Sequence, residues 1–209
     1  MRRRAFALFT LAAAIAVSLA PSRFIAPAFA DDPMAVVRNT VNQALGVLRD
    51  TSTPLAQRQD QLRQIVSSTF DFTEMAKSAL GYHWKQISPA QQQEFTTAFV
   101  AFIEDSYLSK INDYRGQQVT FGTVSNDGPQ YAQVNTDIVP PTGDAIHVNY
   151  RLLQDGSTWK IYDVTVDAIS IIANYRNQFN RVMNNQGYDV LIADLKRKQA
   201  ALAASLANH

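Results

Sequence analysis

The chain holds little that could do acid–base or metal chemistry. Only three histidines occur in its 209 residues, His83, His147 and the terminal His209, and His is the side chain whose ordinary pKa suits proton transfer near neutrality. The alternation around His147 points it outward from a strand. No group of His, Asp and Glu has metal-ligand spacing. There is no glycine-rich phosphate loop, no zinc-protease helix motif, no nucleophile elbow and no EF-hand loop. Cysteine is absent, which excludes thiol redox chemistry and Cys-bound metals. An acid–base pair of Asp163 with Tyr150 is conceivable, but two residues on one strand face make a weak constellation. The sequence therefore predicts no catalytic set, no metal and no cofactor. What it has in abundance is apolar and aromatic side chains at regular spacing.

Those side chains lie on two kinds of element. Ser88, Pro89 and Gln91 make a capping box with proline at the first helical position, so a long helix is expected from there to about Tyr114. It is read as the longest of the mature chain. Its apolar stripe collects Phe95, Phe99, Phe102, Ile103, Tyr107 and Ile111. That stripe is either a packed core face or a wall against which flexible apolar ligands lie, since an apolar cavity needs bulky lining and few polar atoms. Shorter helices precede it. Asp32 and Pro33 start one, Pro54 starts a second presenting Leu55, Leu62, Ile65 and Val66, and Asp71 caps a third that ends at Gly81.

From Gln117 the period changes to two, the mark of half-buried strands. Turns at Asn126–Pro129, Pro140–Gly143 and Asp155–Gly156 separate four antiparallel strands. One sheet face is expected to be buried and the other largely wet. With Asp155–Gly156 as a two-residue loop, Leu152 would oppose Trp159, Tyr150 would oppose Ile161, and Val148 would oppose Asp163, all facing inward. Arg151 and Lys160 would oppose each other outside. Asp163 is then the polar exception on the inner face. It can cap the helix that starts near Ile169 and Ser170, pair with an arginine, or touch a ligand, because a buried carboxylate needs a partner. That helix carries Ile171, Ile172, Tyr175 and Phe179 on one face. A last helix follows Gly187, packs Val190, Leu191, Ile192 and Leu195, and ends in Lys196–Lys198 and an alanine-rich tail. No repeat or internal linker is visible.

The first thirty residues read as a secretory signal peptide: Arg2–Arg4, an apolar run from Phe6 to Leu19, and Ala28-Phe29-Ala30 as the cleavage site. The competing reading is a retained anchor, though the run is short for a span. No Cys follows it to carry a lipoprotein anchor. Cleavage after Ala30 would remove Arg2, Arg3, Arg4 and Arg23 and no acid, turning a net charge of +1 into −3. A mildly acidic chain carries no footprint for nucleic acid. The expected organisation is a signal peptide over 1–30 and one domain over 31–209.

Several stretches together resemble the MlaC family of periplasmic lipid carriers, also known as toluene-tolerance proteins. Phe70-Asp71-Phe72 with Met75, Leu80-Gly81 and Trp84 is similar to one family block. Ser88-Pro89 with Phe95, Phe99, Tyr107 and Tyr114 fits the family's long helix. Trp159–Val164 and Asn174-Tyr175-Arg176 with Phe179 fit its end. Val166-Asp167-Ala168 departs from the pattern, which has an acidic residue followed by glycine. The resemblance implies an α+β fold of NTF2-like type: a strongly curved, four-stranded antiparallel sheet wrapped by helices around an apolar cavity. It implies a non-enzymatic carrier that shuttles phospholipid, or a hopanoid-type lipid in one branch, through the periplasm. Its partners would be an outer-membrane lipoprotein complex and an inner-membrane ABC transporter with an MCE domain, and the carrier itself would be a monomer. An NTF2-like isomerase or dehydratase acting on a hydrophobic small molecule is the alternative. Candidate lipid contacts are Phe95, Phe99, Phe102, Tyr107, Val148, Tyr150, Leu152, Ile161, Val164, Ile172, Tyr175 and Arg176. Val164 breaks the parity of the expected hairpin. Arg176 either clamps a phosphate at the rim, as a guanidinium can with two parallel hydrogen bonds, or pairs with Asp163, Glu74 or Asp167.

Overall fold

The helix starts fall where short polar side chains can satisfy free backbone N–H groups. In the computed structural model, which describes residues 32–108 and 113–207, Asp32 accepts from Met34 N and opens α1 (Pro33–Arg49). Helix α2 (Leu55–Thr69) follows Pro54. Asp71 accepts from Glu74 N and opens α3 (Phe72–Leu80), which stops at Gly81 with φ 58°. A 3-10 turn spans Gly81–Gln86. The capping box then forms as expected: Gln91 N donates to Ser88 Oγ at 3.2 Å, and Ser88 N donates to Gln91 Oε1 at 2.9 Å. Helix α4 runs over Pro89–Leu108. By Tyr114 the chain has left the α-helix, so the expected end there is too late, and Ile111 lies outside the described residues.

The sheet is a meander in the order β1 (Gln118–Asn126), β2 (Tyr131–Val139), β3 (Ile146–Asp155), β4 (Thr158–Val166) and β5 (Ile169–Ser170), all antiparallel. Four strands were expected; the fifth is a two-residue return. It is reached through Asp167 and Ala168, both with positive φ (45° and 68°). Two positive φ values are what a type I′ turn needs, so an alanine stands where glycine would be unstrained. Helices α5 (Ile171–Gln186) and α6 (Tyr188–Ala207) complete the chain.

The β3–β4 hairpin corrects the expected register twice. Its loop is Gly156–Ser157, one residue later than expected, because Asp155 pairs with Thr158; Leu152 therefore opposes Ile161, not Trp159. A bulge follows, with Leu152 opposite Ile161 but Arg151 opposite Asp163. One extra residue flips strand parity. Beyond the bulge Tyr150 opposes Val164 and Val148 opposes Val166. The bulge also relieves the expected Arg151–Lys160 clash, since Lys160 opposes Leu153.

Two apolar cores result. One joins the sheet's inner face to α1, through Val37, Val41, Ala132, Val134, Leu152, Trp159 and Ile161. The other is helical and spans α3 to α6, with Leu80, Phe95, Phe99, Ile172, Phe179 and Leu195 among its buried members. Tyr162 packs against this second core, so β4 is covered on both faces rather than wet on one. Phe70, between α2 and α3, packs against both cores.

Candidate functional site

A cleft of about 320 Å³ opens between the two cores. Helix α2 supplies Leu62, Arg63 and Val66. The α2–α3 corner and α3 supply Phe70, Phe72 and Met75. Helix α4 supplies Ile103, Glu104, Tyr107 and Leu108, the sheet Ile138, Val148, Val164 and Val166, and α5 Ile171. Among the described residues, only Arg63, Glu104 and Tyr107 bring ionisable or hydroxyl groups to it. Its position follows from the packing: each core closes on itself, and the side chains left facing the seam are apolar.

The bulge in β4 decides which strand residues line this seam. Before it, Trp159 and Ile161 point inward; after it, Val164 and Val166 do. Asp163 is thereby turned onto the face of Arg151, a correction to the expectation of an inward carboxylate. There it is 3 % exposed. It accepts from Ser170 Oγ at 2.7 Å and from Ile172 N at 3.2 Å, and lies 3.8 Å from Arg151 Nη1. Ser170 Oγ in turn accepts from Ala173 N at 2.9 Å. Asp163 is thus spent on ordering the start of α5, the capping role weighed from sequence. Tyr150 is not among its partners; the Tyr150 hydroxyl neighbours Thr136 instead.

The expected contact residues divide into four groups. Tyr107, Val148 and Val164 line the cleft. Phe102 and Tyr175 line a smaller pocket, about 200 Å³, between α4, α5 and α6. Phe95, Phe99 and Ile172 are buried in the helical core, and Leu152 and Ile161 in the sheet core; Tyr150 packs against the latter. The aromatic stripe of α4 is therefore mostly a packing face. Phe95 stacks on Phe99 with centroids 5.6 Å apart, and Phe99 and Phe102 meet Tyr175 edge-on at 5.8 and 5.6 Å. Such geometry adds about 0.5–1.5 kcal/mol per pair to the burial itself. Among the described residues of the stripe, only Ile103 and Tyr107 reach the seam, with Leu108 beside them.

Arg176 stands apart from the cleft. Its Nε donates to the Ser78 carbonyl at 2.7 Å, near the C-terminal end of α3, where free carbonyls favour a cation. Gly81 is next to it: a Cβ there would lie 3.4 Å from Arg176 Cδ. The expected ion pair does not form among the described residues: Glu74 pairs with Lys77 at 2.8 Å, Asp163 with the start of α5, and Asp167 accepts from His147 N at 3.0 Å.

Burial leaves its mark on the lining groups. The Tyr107 hydroxyl, at the cleft, is pushed up to about 12 by burial. Tyr150 is pushed up to about 12 by burial, with the Thr136 hydroxyl opposing. Burial also raises the Glu104 carboxyl, the neighbouring Arg63 charge opposing and Asp105 reinforcing. Sequence reasoning missed Leu62, Val66, Phe70, Phe72 and Met75 as lining residues, although Phe70 and Phe72 sat in the resemblance block. It also missed Ile138, which shares the strand alternation of Val134 and Thr136. Among the described residues no cluster of His, Asp and Glu could hold a metal ion, and no helix is long and apolar enough to cross a membrane.

Comparison with known proteins agrees with this architecture. The toluene tolerance protein ttg2D of Pseudomonas putida is 28 % identical over 167 residues, covering 77 % of this chain and 77 % of its own length. The intermembrane phospholipid transport system binding protein MlaC of Haemophilus influenzae is 20 % identical over 173 residues, covering 79 % and 81 %. The structure of a phospholipid-binding protein from Ralstonia solanacearum, solved in complex with a phospholipid, superposes with a TM-score of 0.74 at 23 % identity. It covers 82 % of this chain and 99 % of that one, and so shares the fold. The family model described as MlaC protein matches residues 38–197, most of the chain, and the protein belongs to the MlaC family.

Proposed function

We propose that this protein is a periplasmic phospholipid carrier and that the cleft between its two cores holds acyl-chain segments. The observation that carries the reading is the cleft itself, whose described lining is apolar but for three side chains. A well-packed interior leaves few voids larger than a water molecule. At about 30 Å³ per water-sized group, 320 Å³ accommodates about ten methylenes. Each transferred from water contributes about 0.8 kcal/mol, so about 8 kcal/mol in all before the cost of immobilising the ligand is subtracted. A membrane offers a tail equally apolar surroundings, so the cleft can shield a tail from water and still release it to a bilayer.

Family membership supports this carrier reading over an isomerase or dehydratase. The remaining expectations join it as parts of one proposal: cleavage after Ala30, a single lipid-binding domain over 31–209, and exchange with an outer-membrane lipoprotein complex and an inner-membrane MCE-domain ABC transporter. Residues 1–30 lie outside the described residues, so intact mass of the protein from a secreting host is the test of cleavage. The carrier reading is tested by transfer of a labelled phospholipid between donor and acceptor vesicles. Transfer should scale with protein concentration. A rate equal to the protein-free rate would reject the proposal.

A further inference from the structure

On the far side of the α2–α4 contact lies a larger pocket of about 700 Å³, lined by the charged or amide side chains of Gln59, Arg63, Glu104, Asp105 and Gln199 and by as many apolar ones. Arg63 and Glu104 line both spaces. An apolar slot and a wider pocket of mixed lining thus meet at one guanidinium and one carboxylate. Charged groups at the edge of an apolar slot are what an amphiphile requires, with its tail in the slot and its head at the rim.

The groups at this junction are not equally satisfied. Arg63 is engaged on both terminal nitrogens: Nη1 lies 3.2 Å from Asp60 and Nη2 lies 3.1 Å from Asp105. Asp105, 5 % exposed, also accepts from Gln199 Nε2 at 2.9 Å. Among the described residues Glu104 makes no comparable pair, although it is half-buried and lines the apolar slot. Burial raises its carboxyl and the Asp105 charge adds to this, with the shared Arg63 charge opposing. Three carboxylates therefore surround one guanidinium, and Glu104 is the one left over. A half-buried carboxylate without a partner is costly, and its natural complement is a cation.

We infer that the Arg63–Glu104 junction is a headgroup subsite that takes the ammonium of a zwitterionic aminophospholipid on Glu104, with the adjoining phosphate on Arg63. The inference rests on the carrier reading and adds to it a preference among lipids. Asp60 is 72 % exposed, and an exposed pair contributes little, so a lipid phosphate can displace Asp60 from Arg63. The ammonium beyond it then reaches the unpaired carboxylate. An anionic head without an amine would bring a further negative charge to a site already rich in carboxylates.

The test is competitive loading. The full-length protein is secreted, purified and equilibrated with vesicles of equimolar phosphatidylethanolamine and phosphatidylglycerol, and its bound lipids are extracted and quantified by mass spectrometry. Wild type should hold the ethanolamine lipid in excess by about fivefold, the net scale of one ordinary hydrogen bond. Glu104→Gln should bring the bound ratio near that of the vesicles, and Glu104→Lys should invert it. Raising ionic strength should narrow the wild-type preference. A wild-type ratio equal to the vesicle ratio would overturn the subsite without any variant being needed, as would an unchanged preference in folded Glu104→Gln. Total bound lipid is a separate readout: if wild type retains neither lipid, the carrier reading itself fails and the subsite falls with it.

Discussion

Filling the cleft from its strand wall should weaken ligand binding without unfolding the protein. Val164 suits this, because it lines the cleft, is only partly buried and lies opposite Tyr150 just past the bulge. Val164→Phe adds about four carbons to a space for about ten methylenes. At about 0.8 kcal/mol per methylene excluded, the loss is about 3 kcal/mol, or about two-hundredfold in affinity. Phenylalanine is well tolerated in strands, so the melting temperature should change little. The assay is displacement of a fluorescent acyl-chain probe, run beside thermal unfolding of the same sample. Wild-type affinity in a folded Val164→Phe variant would refute the reasoning, because it would mean that the tail does not occupy this part of the cleft.

Four other outcomes follow from the same geometry. Asp163→Ala leaves the N-terminus of α5 and Arg151 without their buried partner and should cost about 3 kcal/mol, read as a lower denaturant midpoint, with the composition of bound lipid unchanged. Arg176→Gln removes the donor to the Ser78 carbonyl and should cost about 1 kcal/mol; reduced retention of anionic lipid at unchanged stability would instead favour a headgroup clamp. Ala168→Gly relieves a residue at φ 68° and should stabilise the fold by about 1 kcal/mol, seen as a raised melting temperature. His147, exposed and hydrogen-bonded to Asp137, is held above its ordinary value by that carboxylate. Its stabilising contribution is therefore fully present below the unfolded-state value and lost as pH rises through the raised one. An NMR titration should show the elevated midpoint in wild type and a fall toward the ordinary imidazole value in Asp137→Asn.

What could be read from sequence depended on whether the signal was local. Asp32, Asp71 and the Ser88–Gln91 box mark helix starts because each cap acts within three or four residues. Strand alternation and its turns were legible for the same reason. The bulge in β4 was not. It depends on two residues, Tyr162 and Asp163, sharing the position opposite Arg151, with the Arg151 guanidinium 5.1 Å over the Tyr162 ring. Nothing in the alternation of Trp159 to Val166 announces it, yet it turns Asp163 outward and Val164 inward. The aromatic stripe of α4 failed differently. Its period shows which residues face inward but not what they meet, and Phe95, Phe99 and Phe102 meet the rings of α5. The sequence does not single out Glu104 and Asp105; only the approach of α2 and α6 makes them part of a junction.

The central claim is that the cleft between the two cores carries lipid tails. Native mass spectrometry of the protein purified from a secreting host tests it most directly, with wild type and Val164→Phe compared under identical conditions. The account predicts a bound species in wild type whose mass and fragments match a phospholipid, and a much reduced bound fraction in the folded variant. A wild-type protein that carries no lipid, or equal lipid occupancy in both proteins, would contradict it.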